Sequence, residues 1–203
     1  STRKFIEAVN ARTSAPGGGS ASAAIAAIGA GLGAMVAKLT YGVRKFEHLE
    51  GQLRKIIPGL HETAIGLIPM IDADTNAFND YVEAMRLPQG NDAEKKHRAE
   101  QMELGLKKAI EVPLQTMRIG DKAWENMLEA AKIGNIASKS DVQVGARALE
   151  VGIWGAYQNV MINVGGIKDS KFVSEKTGEA AKLKDRATKF CAEILEVLDN
   201  RKD

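Results

Sequence analysis

Cysteine, aromatic residues and excess charge are all scarce in this chain, and each shortage excludes something. Cys191 is the single cysteine among 203 residues, so no internal disulfide can form, and a reducing, cytoplasmic setting is expected. The 28 basic and 26 acidic side chains nearly cancel to a net charge of +2, which gives no electrostatic footprint for a nucleic acid. His48, His61 and His97 are scattered, with no ligand spacing such as HxxxH. They read as surface residues, and no metal site is expected. No P-loop, pyridoxal lysine, internal repeat, low-complexity tail or β alternation is found. Aromatics reach only 5%. Ala, Gly, Lys and Glu are abundant instead, a mixture that favours helices. The length fits one domain with a real core.

Charge is missing altogether between Arg12 and Lys38, so a membrane span has to be considered. Gly29 and Gly33 form a GxxxG pair within that run. The run is mostly Ala and Gly, with little Leu, Ile or Phe, and it opens on a glycine loop. It is read as a core helix, not a span. Glu7 and the late start of the apolar run exclude a signal peptide.

What is present is organised around Pro16, Gly17, Gly18, Gly19 and Ser20, followed by small residues to Ala37. A glycine-rich loop that feeds a helix N-terminus can bind an anion through free N–H groups and the helix dipole. A flexible turn with Ser20 as N-cap is an equal reading. The sequence is neither GxGxxG nor a P-loop.

A short helix is expected over residues 2–11, with Phe5, Ile6 and Val9 apolar. The next runs from Ser20 to Tyr41, with Ile25, Ile28, Leu32, Met35, Val36 and Leu39 on one face and Gly42 as the C′ residue. A basic helix over 43–57 ends at Pro58-Gly59, and a fourth runs from Leu60 to Leu87, kinked or split by Pro69. In that helix Leu60, Leu67 and Tyr81 recur every seven residues, flanked by Ala64, Ile71, Phe78 and Met85. The missing member of the first series is Asp74. A carboxylate in an apolar stripe is either paired structurally or tuned for acid/base work, because burial of a lone charge is costly. Asp72 points elsewhere and reads as solvated.

Asn91 and Glu94 resemble a capping box before a helix over 92–112, and Pro113 opens another that reaches Ile133 and ends at Gly134-Asn135. A further helix runs from Ser138 to Asn163. One face carries Val142, Ala146, Leu149, Ile153, Ala156 and Val160. A second carries Asp141, Gly145, Ala148, Gly152, Gly155 and Asn159, a groove for close helix packing or for a flat ligand. A charged helix follows Asp169-Ser170. The fold class is all-α, an elongated bundle of up to eight helices packed through Ala/Gly-rich faces, with a possible interface between identical subunits.

The stretch Arg12-Thr-Ser-Ala-Pro-Gly-Gly-Gly-Ser-Ala-Ser-Ala resembles the signature of the cyclodeaminase domain of the formiminotransferase-cyclodeaminase family. Leu39-Thr-Tyr-Gly-Val-Arg-Lys-Phe, Asp72-Ala-Asp-Thr-Asn-Ala-Phe and Gly134-Asn-Ile-Ala agree in the same order. Ser140-Asp-Val-Gln-Val and Gly155-Ala-Tyr-Gln-Asn-Val-Met-Ile-Asn complete the resemblance over nearly the whole chain. It implies a single cyclodeaminase-like domain over 1–203, cut from a longer bifunctional chain that carries a separate transferase domain.

The implied reaction cyclises 5-formimidoyltetrahydrofolate to 5,10-methenyltetrahydrofolate with release of ammonia, in histidine breakdown. The family's catalytic aspartate falls on Asp74. The glycine loop becomes a wall of the folate pocket. Arg44 and Lys45 are expected to attract a polyglutamate tail, and Asn135, Asp141, Asn159 and Asn163 to hydrogen-bond the pterin, with a capping role equally open for Asp141. No cofactor beyond the tetrahydrofolate substrate is expected. The family is dimeric at this domain and forms a larger ring with the transferase domain. Animal relatives associate with the Golgi or centrosome. The same superfamily contains methenyltetrahydrofolate cyclohydrolases, normally stand-alone chains, and this is the second reading. A non-enzymatic helical scaffold is the third.

Overall fold

The computed structural model describes residues 1–201, and no strand occurs among them. Seven α-helices follow one another: α1 (Thr2–Val9), α2 (Gly18–Thr40), α3 (Glu50–Met85), α4 (Asp92–Asp121), α5 (Trp124–Ile133), α6 (Lys139–Asn163) and α7 (Ser170–Asn200). Short 3-10 turns precede α3 and α6 and follow α6. α2 is the central element, packed between α3 and α6, while α4 bridges α3 and α6. α7 covers α4, α5 and α6 from the far side.

α2 has the length and apolarity of a membrane span, yet more than half of its most apolar window is buried inside the bundle. Its core face differs from the expected one. The large residues Ile28, Met35 and Leu39 are exposed, and only Val36 of the expected set is buried. The buried face is made of Ala23, Ala26, Gly29, Ala30, Gly33, Ala34 and Ala37. The reason is α6, which brings its own glycines onto that face. A Cβ on Gly29 would stand 2.5 Å from the Leu149 nitrogen and 2.6 Å from the Gly145 carbonyl oxygen. A Cβ on Gly152 would stand 2.7 Å from the Ser22 carbonyl oxygen. The Gly145–Gly155 groove is therefore filled by α2 along most of its length and is a helix seat rather than a ligand slot. The other face of α6 packs as expected, with Val142, Ala146, Leu149, Ile153, Ala156 and Val160 all buried.

Two expected helices are one. α3 runs unbroken through Pro58 and Pro69. The buried positions Leu53, Ile56, Leu60, Thr63 and Leu67 continue at helical spacing across Pro58, and their burial outweighs the roughly 3 kcal/mol that an interior proline costs. Both prolines, and the residues Arg54 and Ile65 whose carbonyls they leave unpaired, are exposed to water. Likewise α4 passes through Pro113 on the stripe Ile110, Leu114 and Met117, and the chain breaks only at Lys122-Ala123. Gly42 adopts φ 77° just beyond α2, as a C′ glycine should. Asn91 Oδ1 accepts the Glu94 N–H at 2.9 Å, and Glu94 reaches back to the Gly90 N–H at 2.7 Å, one residue earlier than in a standard capping box.

Candidate active site

α2, α3 and α6 converge where α2 begins. α2 starts at Gly18, two residues earlier than expected, so Gly17 and not Ser20 occupies the N-cap position. Glycine has no side chain to cap with, and the cap comes from another helix. Asp74 Oδ2, on α3, accepts the Ser20 backbone N–H at 2.8 Å. This places a carboxylate at the positive end of α2.

The Ser20 hydroxyl has one proton and three oxygens in reach, the Ile71 carbonyl at 2.8 Å, Asp74 Oδ2 at 3.1 Å and the Thr75 hydroxyl at 3.1 Å, which can equally donate to it. An ionised carboxylate is the stronger acceptor and draws that proton, whereas a neutral one releases it to Ile71. Burial pushes Asp74 above the ordinary carboxylate value of 3.8, and the side-chain and backbone hydrogen bonds from Ser20 bring it only partly back. Oδ1 takes no hydrogen bond among the described residues. It lies so close to Gly19 that a Cβ there would overlap the carboxylate, so only glycine leaves Asp74 its place.

The free oxygen belongs to a cleft of about 300 Å³ lined by Gly17, Gly18, Gly19, Asp74, Phe78, Tyr81, Asn159 and Asn163, with Ser14, Ala15, Ala109 and Ile162. Pro16, joined to Ala15 by a cis peptide bond, belongs to the same loop but does not line the cleft. Asn159 rests against Gly18 and donates to the Gly155 carbonyl at 2.8 Å. The cleft can hold a flat ring against Phe78 and Tyr81, with a proton-transfer group at one end. These two aromatics follow Asp74 by one and two turns of α3. The sequence places Phe78 and Tyr81 in the stripes beside Asp74 without marking them as site residues, and the heptad spacing was the signal that could have found them.

Four expected binding residues stand elsewhere. Arg44 and Lys45 are exposed beyond the C-terminal end of α2, about 34 Å from its start at 1.5 Å per residue. Asn135 lies at that same end, its N–H bonded to Thr40 Oγ1 at 2.8 Å and its Oδ1 accepting from Ala137 at 3.1 Å. Asp141 sits in the first turn of α6, at the opposite end from Asn159. None of the four joins the cleft. His48, His61 and His97 are exposed, and among the described residues no group of three His, Cys, Asp or Glu side chains is placed to hold a metal.

A family profile described as Formiminotransferase-cyclodeaminase matches residues 1–182. This chain belongs to that family. It is 49% identical over 203 residues to a formimidoyltransferase-cyclodeaminase of Dictyostelium discoideum and 43% identical over 197 residues to one of Gallus gallus. It covers 100% and 97% of itself in these matches but only 37% and 36% of the relatives' length. It is also 32% identical over 200 residues to a methenyltetrahydrofolate cyclohydrolase of Methylorubrum extorquens, covering 97% of this chain and 95% of that one. The fold matches the crystal structure of a formiminotetrahydrofolate cyclodeaminase from Thermotoga maritima with a TM-score of 0.86, at 22% identity, over 98% of this chain and 96% of the other. The all-α bundle of this family is thus the fold of the chain, and its members are enzymes of folate chemistry.

Proposed function

We propose that the domain is a formimidoyltetrahydrofolate cyclodeaminase, an ammonia-lyase that converts 5-formimidoyltetrahydrofolate to 5,10-methenyltetrahydrofolate. The observation that carries the reading is Asp74: a partly buried carboxyl with a raised pKa and one free oxygen, at the end of a ring-sized cleft. Relatives that share 49% and 43% of their aligned residues with the chain bear the cyclodeaminase name.

The chemistry needs one mobile proton. N10 of the folate attacks the formimino carbon, and the new N10–C bond gives a tetrahedral centre. The N10 proton must leave, and the amino group must gain a proton before the C–N bond breaks and ammonia departs. Asp74 Oδ1 takes the first proton and delivers the second. The Ser20 hydroxyl follows the charge as it changes. Phe78 and Tyr81 stack on the pterin, and Gly18 and Gly19 offer N–H groups at the start of α2. Asn159 hydrogen-bonds its edge, and Asn163 hydrogen-bonds the bound folate.

The cyclohydrolase reading uses the same cleft to add water to the methenyl bridge, and the 32% identical relative supports it. Absorbance of the methenyl chromophore separates the two. Growth of the signal with ammonia release, on addition of 5-formimidoyltetrahydrofolate, is expected. Decay of added methenyltetrahydrofolate alone favours the cyclohydrolase, and silence in both assays sinks the folate reading in favour of a scaffold.

The outer surface supports subunit association. Ile25, Ile28, Val144 and Val151 form one apolar strip across α2 and α6, and Ile6, Val9, Ile65 and Ile68 extend it over α1 and α3. This area suits an isologous homodimer. Arg44, Lys45, Asn135 and Asp141 would then serve a cleft only across an interface. A larger ring with a transferase domain, polyglutamylated folate as the preferred substrate and a cytoplasmic location complete the proposal.

A further inference from the structure

Asn163, the last residue of α6, reaches across to α4. Its Nδ2 carries two hydrogens, and both are spent. One goes to the Asn159 carbonyl at 2.8 Å and the other to the Ala109 carbonyl at 3.2 Å. The second acceptor is available because of a proline. In α4 the Ala109 carbonyl would ordinarily accept from the N–H of residue 113, and Pro113 has none. Pro113 is buried, unlike Pro58 and Pro69, and the half-buried Ala109 carbonyl takes its partner from a side chain.

The pairing fixes which atom faces the cleft. A flipped carboxamide would set Oδ1 against two carbonyl oxygens, so the observed orientation is the one the network allows. Oδ1 accepts no hydrogen bond among the described residues. Nor is it sealed in, since Trp124 Nε1 is the one enclosed, unpaired side-chain polar atom among them. Asn163 and Ala109 line the same cleft as Asp74.

We infer that Asn163 is a fixed hydrogen-bond acceptor for an N–H of the bound folate, and that Pro113 is the positioning residue that fixes it. This rests on the folate reading given above. The substrate offers such a donor in two places, the formimino nitrogen and the pyrimidine edge of the pterin. An acceptor already locked in place costs no ordering on binding.

The test is a coupling cycle on the full chain, with dissociation constants for 5-formimidoyl- and 5-formyltetrahydrofolate and steady-state kinetics on the former. Asn163→Ala is expected to weaken binding about tenfold, near the upper worth of one hydrogen bond, with the loss in KM rather than kcat. Pro113→Ala returns an N–H to Ala109, releases one hold on the carboxamide and weakens binding about threefold. It also adds a helical hydrogen bond, so the variant is expected to fold, which its thermal melt checks. The double variant should lose about tenfold, not about thirtyfold, because Pro113 acts only through Asn163. Loss with both folates assigns the donor to the pyrimidine edge, and loss with the formimidoyl form alone assigns it to the formimino nitrogen. Unchanged binding in Asn163→Ala, or additive losses in the double variant, overturns the inference. A wild-type chain that binds neither folate overturns the folate reading instead.

Discussion

Asp74 caps a helix to which it does not belong: its Oδ2 sits 2.8 Å from the Ser20 amide, across 54 residues of chain. One oxygen is thus tied to the start of α2 and the other is left to the cleft. Asp74→Asn keeps the shape but removes the proton carrier. We expect kcat to fall by about 10²–10⁴-fold with the fold retained, measured by methenyl absorbance and circular dichroism. Near-normal turnover in a folded Asp74→Asn would remove Asp74 from the reaction.

The same pair predicts a pH effect. The Asp74 pKa is raised by burial, with Ser20 opposing. Removing the Ser20 hydroxyl takes away one of the two opposing bonds. The acidic limb of kcat/KM should therefore move to higher pH in Ser20→Ala. A limb that stays in place or moves down contradicts this.

Stability follows with its own sign. A folded-state pKa above 3.8 means the contribution of neutral Asp74 is fully present below that value and is lost as pH rises through the folded-state pKa. Asp74→Asn is neutral throughout and has no such loss. As pH rises above 3.8, the melting temperature of Asp74→Asn should gain on that of the wild type. Parallel melting curves would show that the charge is not costly here.

Glycine positions separate site from scaffold. Gly19→Ala drives a methyl into the Asp74 carboxylate, a short side chain with little room to withdraw. Turnover should collapse while the melt changes modestly. Gly29→Ala meets the Leu149 and Gly145 backbones instead, which cannot swing aside. It should cost about 1–3 kcal/mol in chemical denaturation. A Gly29→Ala variant as stable as wild type would mean that α2 and α6 are less tightly seated than described.

The apolar exterior makes a further prediction. Ile28 and Leu39 are 56% and 57% exposed on the outer face of α2. Ile28→Glu and Leu39→Glu should leave the fold intact and yield monomers by light scattering. A wild-type chain that is already monomeric removes the proposed homodimer.

Much of this site could be read before folding. Asp74 was visible because it interrupts a seven-residue apolar series, and Asn159 because it closes a row of small residues. On α2 side-chain size is a poor guide to burial. In this helix close approach selects the small residues for the interior and leaves Ile28 and Met35 outside. Pro58 reads as a stop and Pro69 as a kink or split, since local cost is legible in sequence while the stripe from Leu53 to Leu67 acts only once it meets α2 and α5. Arg44 and Lys45 lie past the far end of α2 and Asp141 at the far end of α6 from Asn159, separations that helix rise alone implies, whereas the place of Asn135 depends on how α5 packs.

The buried face of α2 consists mainly of Ala and Gly, residues with no χ1 to choose. Burying them freezes no rotamers. The helix that presents Gly18, Gly19 and Ser20 is therefore registered by main chain against main chain, as in the approach of Gly29 to Gly145. Side-chain disorder cannot blur that register. The glycine loop inherits the positional precision of a backbone contact, and its distance to Asn159 on α6 should stay constant over temperatures at which ordinary leucine cores already exchange rotamers.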